Sequence, residues 1–79
     1  MLQLGLGFDA ELTGRENVHL AAAIAGTPLA KIKPKLHEMF SFADLDSYVD
    51  VPLKFYSTGM YARLAFAVAT ELETDILLL

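Results

Sequence analysis

The residues most able to do chemistry lie together at Tyr56-Ser57-Thr58-Gly59-Met60, directly ahead of a long apolar segment with helical spacing. A serine hydroxyl and a glycine amide at a helix start both aim hydrogen-bond donors outward, and the helix dipole adds roughly half a positive charge there. Such an arrangement suits recognition of an anion, phosphate above all. It is half of a phosphate site, because the 79 residues contain no Gly-x-x-x-x-Gly-Lys-Ser/Thr run to cradle the α and β phosphates of a nucleotide. Taken alone, Ser57 reads equally as an ordinary helix N-cap.

Other polar residues carry less. His19 and His37 fall within predicted helices and match no motif. Asp44, Asp46 and Asp50 are too few for a hard cation, which takes more oxygen ligands and a glycine-turned loop, so helix capping is the better reading. No catalytic residue and no metal ligand is assigned. The chain has no cysteine, which excludes a disulfide framework and thiolate metal sites and fits a reducing compartment. With a net charge of −4 and 6 basic residues spread along its length, it offers no patch for a nucleic-acid backbone. The first residues lack the basic region of a signal peptide, and no apolar run approaches the roughly 20 residues that span a bilayer. A cytoplasmic chain is expected.

The elements that position the pentapeptide are mostly helical. Residues 1–12, punctuated by Gly5 and Gly7, suggest the tail of a strand entering a loop. Thr13-Gly14-Arg15-Glu16 is a capping box, so a helix should run from Thr13 to about Ala25 and close on Gly26. Thr27-Pro28 reads as an N-cap with proline at the first helical position, followed by apolar residues at Leu29, Ile32, Leu36, Met39 and Phe40. Pro34 predicts a kink or a one-turn prelude in that helix. The Lys31, Lys33, Lys35 and Glu38 alternation reads as a solvated face. Asp44 to Val49 predicts a short helical turn, and Asp50-Val51-Pro52 an extended linker. From Ser57 the residues Met60, Tyr61, Leu64, Ala65, Val68 and Leu72 share a broad face of a helix expected to be buried. Ile76-Leu77-Leu78-Leu79 suits a strand covered on both faces. At 54% hydrophobic, so short a chain holds more apolar surface than a compact monomer covers, and a dimer or larger assembly is expected.

Read as a series, Tyr-Ser-Thr-Gly-Met, Arg63, a small-residue helix, Asp75 and four aliphatics resemble the signature segment of ATP-binding-cassette nucleotide-binding domains, usually Leu-Ser-Gly-Gly-Gln. Tyr56 stands for the leucine, Ser57 for the serine, Thr58 and Gly59 for the glycines and Met60 for the glutamine. The upstream run Leu4-Gly5-Leu6-Gly7-Phe8, with Glu11-Leu12-Thr13-Gly14-Arg15-Glu16-Asn17, is similar to the subgroup that energises export of polysaccharides such as O-antigen and teichoic acid. Pro34 and Thr74 depart from the family pattern, and neither touches the signature.

The resemblance implies a mainly α chain: the helical subdomain and signature helix of an α/β P-loop ATPase, with at most short strands at the two ends. It divides the chain into a strand and Q-loop-like segment (1–12), helical subdomain (13–55), signature motif and helix (56–73) and an incomplete Walker B strand (74–79). It implies that Ser57, Thr58, Gly59 and Met60 contact the γ-phosphate of ATP bound to an opposing subunit, and it makes Gln3 a possible Q-loop glutamine. ATP and Mg²⁺ would belong to the intact parent domain. Its partners would be a second nucleotide-binding subunit and a transmembrane permease at the inner face of the membrane, received by the helical subdomain. As a fragment without Walker A or Walker B acidic residues, the chain alone is expected to be inactive. The alternative is a free-standing helical interaction module that self-associates through its apolar helices, with Ser57 serving only as a cap.

Overall fold

The computed structural model describes residues 7–72. Gln3 and the strand expected at 74–79 lie outside these residues. Within them the chain is mainly helical, in the order α1 (Gly14–Ala25), α2 (Leu29–Ile32), α3 (Leu36–Phe42) and α4 (Thr58–Leu72), joined by single turns of 3₁₀ helix. Helix α1 begins where the capping box places it. Thr13 Oγ accepts from the Glu16 amide at 3.1 Å, and Glu16 Oε1 accepts from the Thr13 amide at 2.9 Å. The next two amides do not face water: Gly14 N–H donates to the Val51 carbonyl at 3.2 Å and Arg15 N–H to Val49 at 2.9 Å. Every donor a helix start normally leaves free is therefore satisfied, and the 49–51 loop is bonded to the end of α1. At the other end Gly26 turns left-handed at φ 80°, and the Thr27 amide reaches back to Ala22 at 2.8 Å.

The segment that follows departs from expectation in one respect. Thr27 does not cap the next helix as expected; Pro28, extended at ψ 137°, occupies the capping position without a side-chain bond, and its carbonyl accepts the Lys31 amide at 3.0 Å. Helix α2 is then a single turn, and the 3₁₀ turn Lys33–Lys35 carries Pro34 where an α-helical amide would be required. This is the one-turn prelude that Pro34 implies. Lys31, Lys33, Lys35 and Glu38 are all exposed, as a solvated face requires. Helix α3 closes through the same backbone pattern as α1, with the Leu45 amide on the Phe40 carbonyl at 2.7 Å and Asp44 at φ 62° in the place glycine usually takes.

Between α3 and α4 the chain makes 3₁₀ turns at Asp46–Tyr48 and Leu53–Phe55. Val49, helical at φ −55°, and Asp50 form a turn closed by the Val51 amide on the Tyr48 carbonyl at 3.1 Å, so the extended linker expected at Asp50-Val51-Pro52 is reduced to the stretch around Pro52, ψ 143°. That stretch lies antiparallel to the segment before α1, through an isolated bridge between Thr13 and Pro52 and a bond from the Leu53 amide to Leu12 at 2.9 Å. The core joins Val18 of α1, Phe40 of α3, Leu45 of the loop and Leu64 and Val68 of α4, all buried. Each such side chain contributes about 2 kcal/mol on leaving water. Helix α4 is covered on one side only. Leu64, Ala65, Ala67 and Val68 are buried, Met60 and Leu72 half-buried, while Tyr61, expected on the buried face, is exposed and packs by its edge on Phe8 at 5.6 Å. The opposite face leaves Phe66 60% exposed, so the expectation of a buried helix holds for one stripe. The other helices are short and lie on one side, so nothing among the described residues covers it.

Candidate functional site

The start of α4 is an open helix N-terminus. Ser57 Oγ accepts from the Met60 amide at 3.1 Å, and the Ser57 carbonyl accepts from Tyr61 at 2.9 Å. Ser57 is thus an N-cap, and as an acceptor its hydroxyl keeps its own proton to donate elsewhere. The amides of Thr58 and Gly59, the first two of the helix, have no intrahelical acceptor and project from exposed residues. Met60 is half-buried and its side chain packs on the core, so it reaches the site through its backbone. The structure therefore brings Ser57, Thr58 and Gly59 together as one hydroxyl and two amides facing outward, with no lysine among them.

Gly59 has no role in the packing of its own chain. A Cβ built there would meet only Arg63 Nη1, at an ordinary 3.6 Å, and its φ is not left-handed. Alanine in a helix is favoured over glycine by up to about 1 kcal/mol, so the fold itself would prefer a larger residue. The same contact brings the Arg63 guanidinium alongside the first turn. Its Nε donates to the Ala43 carbonyl at the end of α3 at 2.8 Å, so one side chain links the carboxyl end of α3 to the amino end of α4.

The approach to Ser57 is held by Tyr56. Its hydroxyl donates to the Tyr48 carbonyl at 2.5 Å, and its ring meets that of Tyr48 edge-on at 6.0 Å. Burial, aided by the nearby Asp50 carboxylate, pushes the Tyr56 phenol up to about 12. Asp50 is in turn bonded to Arg15, Oδ1 to Nε at 2.8 Å, which holds its carboxyl below the usual range and raises the guanidinium. Both groups are exposed, so the pair is screened and weak.

Sequence reasoning missed Asn17. Fully buried, it accepts from the Asp9 amide at 2.6 Å and donates through Nδ2 to the carbonyls of Asp9, Leu12 and Thr13. It fixes the turn that leads into α1. Its membership of the Thr13 to Asn17 run was the available signal, without the reason. His37 is exposed; His19 is half-buried with Nε2 unbonded. Among the described residues no three carboxylates, histidines or cysteines gather as a metal site would require, and no helix is long and apolar enough to cross a membrane. Between α3 and α4 lies an apolar cleft of about 360 Å³, lined by Phe42, Ala43, Ala62, Arg63 and Phe66.

No protein-family profile matches the chain. Individual proteins do, along all of it. The O-antigen export system ATP-binding protein RfbB of Myxococcus xanthus is 42% identical over 79 residues, 100% of this chain and 18% of that protein. RfbB of Klebsiella pneumoniae is 40% identical over 79 residues, 32% of its length. The teichoic acids export ATP-binding protein TagH of Enterococcus faecalis is 34% identical, again over 100% of this chain and 18% of the relative. The chain thus spans about a third or less of these relatives. The Ser57 turn, the capping box and the small-residue helix all fall inside the matched stretch, and the chain is, over its whole length, a homologue of the ATP-binding proteins of O-antigen and teichoic acid export.

Proposed function

We propose that the chain is the helical subdomain and signature helix of an ATP-binding subunit that powers polysaccharide export, and that Ser57 and Gly59 complete the ATP site of a second subunit. One observation carries the reading: an exposed helix start presents a hydroxyl and two free amides beside a glycine that its own fold does not require. The names of its relatives, ATP-binding proteins of O-antigen and teichoic acid export, supply the ligand and the cargo class.

In this reading Ser57 Oγ donates its proton to an oxygen of the γ-phosphate while continuing to accept from Met60. The Gly59 amide supplies a second bond, and the absent Cβ lets the phosphate approach the backbone. The dipole of α4 and the Arg63 guanidinium favour the negative charge. Catalysis of phosphoryl transfer is mostly positioning and electrostatic stabilisation, and these 79 residues contain no Walker A lysine and no assigned Mg²⁺ ligand. ATP and Mg²⁺ are therefore held by the opposing subunit, and the chain by itself does not turn ATP over. A permease is the further partner, with the chain peripheral to the inner face of the membrane.

The test is association. The 79-residue chain, titrated into the K. pneumoniae RfbB protein loaded with ATP, should bind more tightly than to the nucleotide-free protein. Ser57→Arg should abolish the difference; binding indifferent to both ATP and that substitution would refute the reading. A second reading is favoured by the exposure of Phe42 and Phe66, 69% and 60%, at the lips of the α3–α4 cleft: a helical module that self-associates, with Ser57 only a cap. ATP-dependence of binding separates the two.

A further inference from the structure

Gly14 and Tyr56 belong to the two sequence runs that stand apart, 42 positions from one another, and the structure presses them together. Gly14 opens α1 and is buried, with ordinary helical backbone, so its conformation alone does not call for glycine. Space does. A Cβ on Gly14 would run into the Tyr56 hydroxyl, well inside contact distance, and would lie 2.9 Å from Phe40 Cε2. The tyrosine thus seats its hydroxyl over the bare backbone of Gly14, and from there that hydroxyl reaches the Tyr48 carbonyl at 2.5 Å. The segment it closes is bound to α1 by three further links: Gly14 N–H to Val51, Arg15 N–H to Val49, and the Arg15–Asp50 ion pair. Tyr56 is also the residue immediately before the cap of α4, and its extended backbone, φ −76° and ψ 144°, delivers Ser57 to the helix start.

From these contacts we infer that Tyr56 is a positioning residue for the anion-binding turn, and that Gly14 is the seat that lets it act. The tyrosine ties the first turn of α4 to the amino end of α1, so the direction in which Ser57 Oγ and the Gly59 amide point is set by α1 and the 48–51 loop. This assignment rests on the reading of Ser57 and Gly59 as phosphate contacts. It also accounts for both residue types: a side chain at 14 excludes the tyrosine, and a side chain at 56 without a hydroxyl loses the Tyr48 tether.

The test is a double-mutant cycle on the whole 79-residue chain: wild type, Gly14→Ala, Tyr56→Phe and the two combined. Amide hydrogen exchange at Met60 and Tyr61 reports the first turn of α4, with Val18 and Val68 as core references. Tyr56→Phe should speed exchange at Met60 and Tyr61 about fivefold relative to the references, the effect of one lost hydrogen bond. Gly14→Ala should speed it at least about threefold more in the tyrosine chain than in the phenylalanine chain, where the clashing oxygen is gone. The Phe40 contact is common to both backgrounds and cancels. Equal effects of Gly14→Ala in the two backgrounds overturn the inference. Should Gly14→Ala alone fail to fold, unchanged exchange in Tyr56→Phe overturns it as well.

The same chains are then titrated into ATP-loaded RfbB of K. pneumoniae, where the loss of affinity should follow the loss of protection. If all of them bind as wild type does while Ser57→Arg does not, the positioning role is wrong and the phosphate reading stands. Should Ser57→Arg also bind normally, the phosphate reading has failed and the positioning role falls with it.

Discussion

Asn17 is the residue whose importance is least visible from its type. Its side chain accepts from the Asp9 amide and shares two hydrogens among the carbonyls of Asp9, Leu12 and Thr13, which also accept the backbone amides of Leu12, Leu53 and Asn17. Removal therefore loses these side-chain bonds and leaves the Asp9 amide without its acceptor. Asn17→Ala should lower unfolding stability by about 2–3 kcal/mol, read from urea denaturation; a midpoint within error of wild type would show that the turn before α1 needs no such clasp. The sequence offered Asn17 as the end of a motif, whereas the physical reason lies in Asp9 and Leu12, which only the fold brings to it. Tyr56 offers a second handle at this scale. Its phenol is raised from an ordinary 10.0 to about 12, so the neutral form is the one the fold favours. The associated stability is fully present below pH 10 and is lost as pH rises through about 12. Ultraviolet titration should show a late phenol ionisation near pH 12 that is missing in Tyr56→Phe; identical titration curves for the two chains would contradict it.

At the scale of elements, local chemistry in the chain specified most of the outcome. The Thr13 capping box, Gly26, the break at Pro34 and the start of α4 were all legible, because each is set by residues within one turn of it. Some features escaped. The cap of α2 lies at Pro28, whose extended backbone delays the first helical residue to Leu29, and α4 remained half-open because the neighbouring helices cover only one side. The close of α3 was half-legible: a turn was expected near Asp44, but not that the aspartate itself would be left-handed at φ 62°. That conformation is one glycine adopts without cost, so Asp44→Gly should leave stability unchanged or raise it by up to about 1 kcal/mol. Thermal unfolding would read this, and a clear loss would mean that the Asp44 carboxylate has a bonding role in the turn.

For the whole molecule, the balance between apolar content and size has a visible result. Phe42, Phe55 and Phe66 are each more than half exposed, and two of them flank the α3–α4 cleft. Surfaces of this kind associate. Light scattering of the isolated chain should show a concentration-dependent rise in mass that Phe42→Ser/Phe66→Ser removes; a clean monomer at all concentrations would refute it. The candidate site was legible to the extent that Ser57 and Gly59 stand where a helix start would offer them, while the devices that aim them, Tyr56 on Gly14 and Arg63 on Ala43, span more than 19 residues of sequence and have no local signature. The central claim is that Gly59 serves a partner's phosphate and not its own fold. Gly59→Ala tests it most directly. Measured together, its unfolding midpoint should be at or above wild type, because the new methyl makes only an ordinary contact, 3.6 Å to Arg63 Nη1, and alanine is the better helix former. Its ATP-dependent association with RfbB should fall at least tenfold, the loss of about 1.4 kcal/mol. Full-strength ATP-dependent association by a stable Gly59→Ala chain would contradict the account.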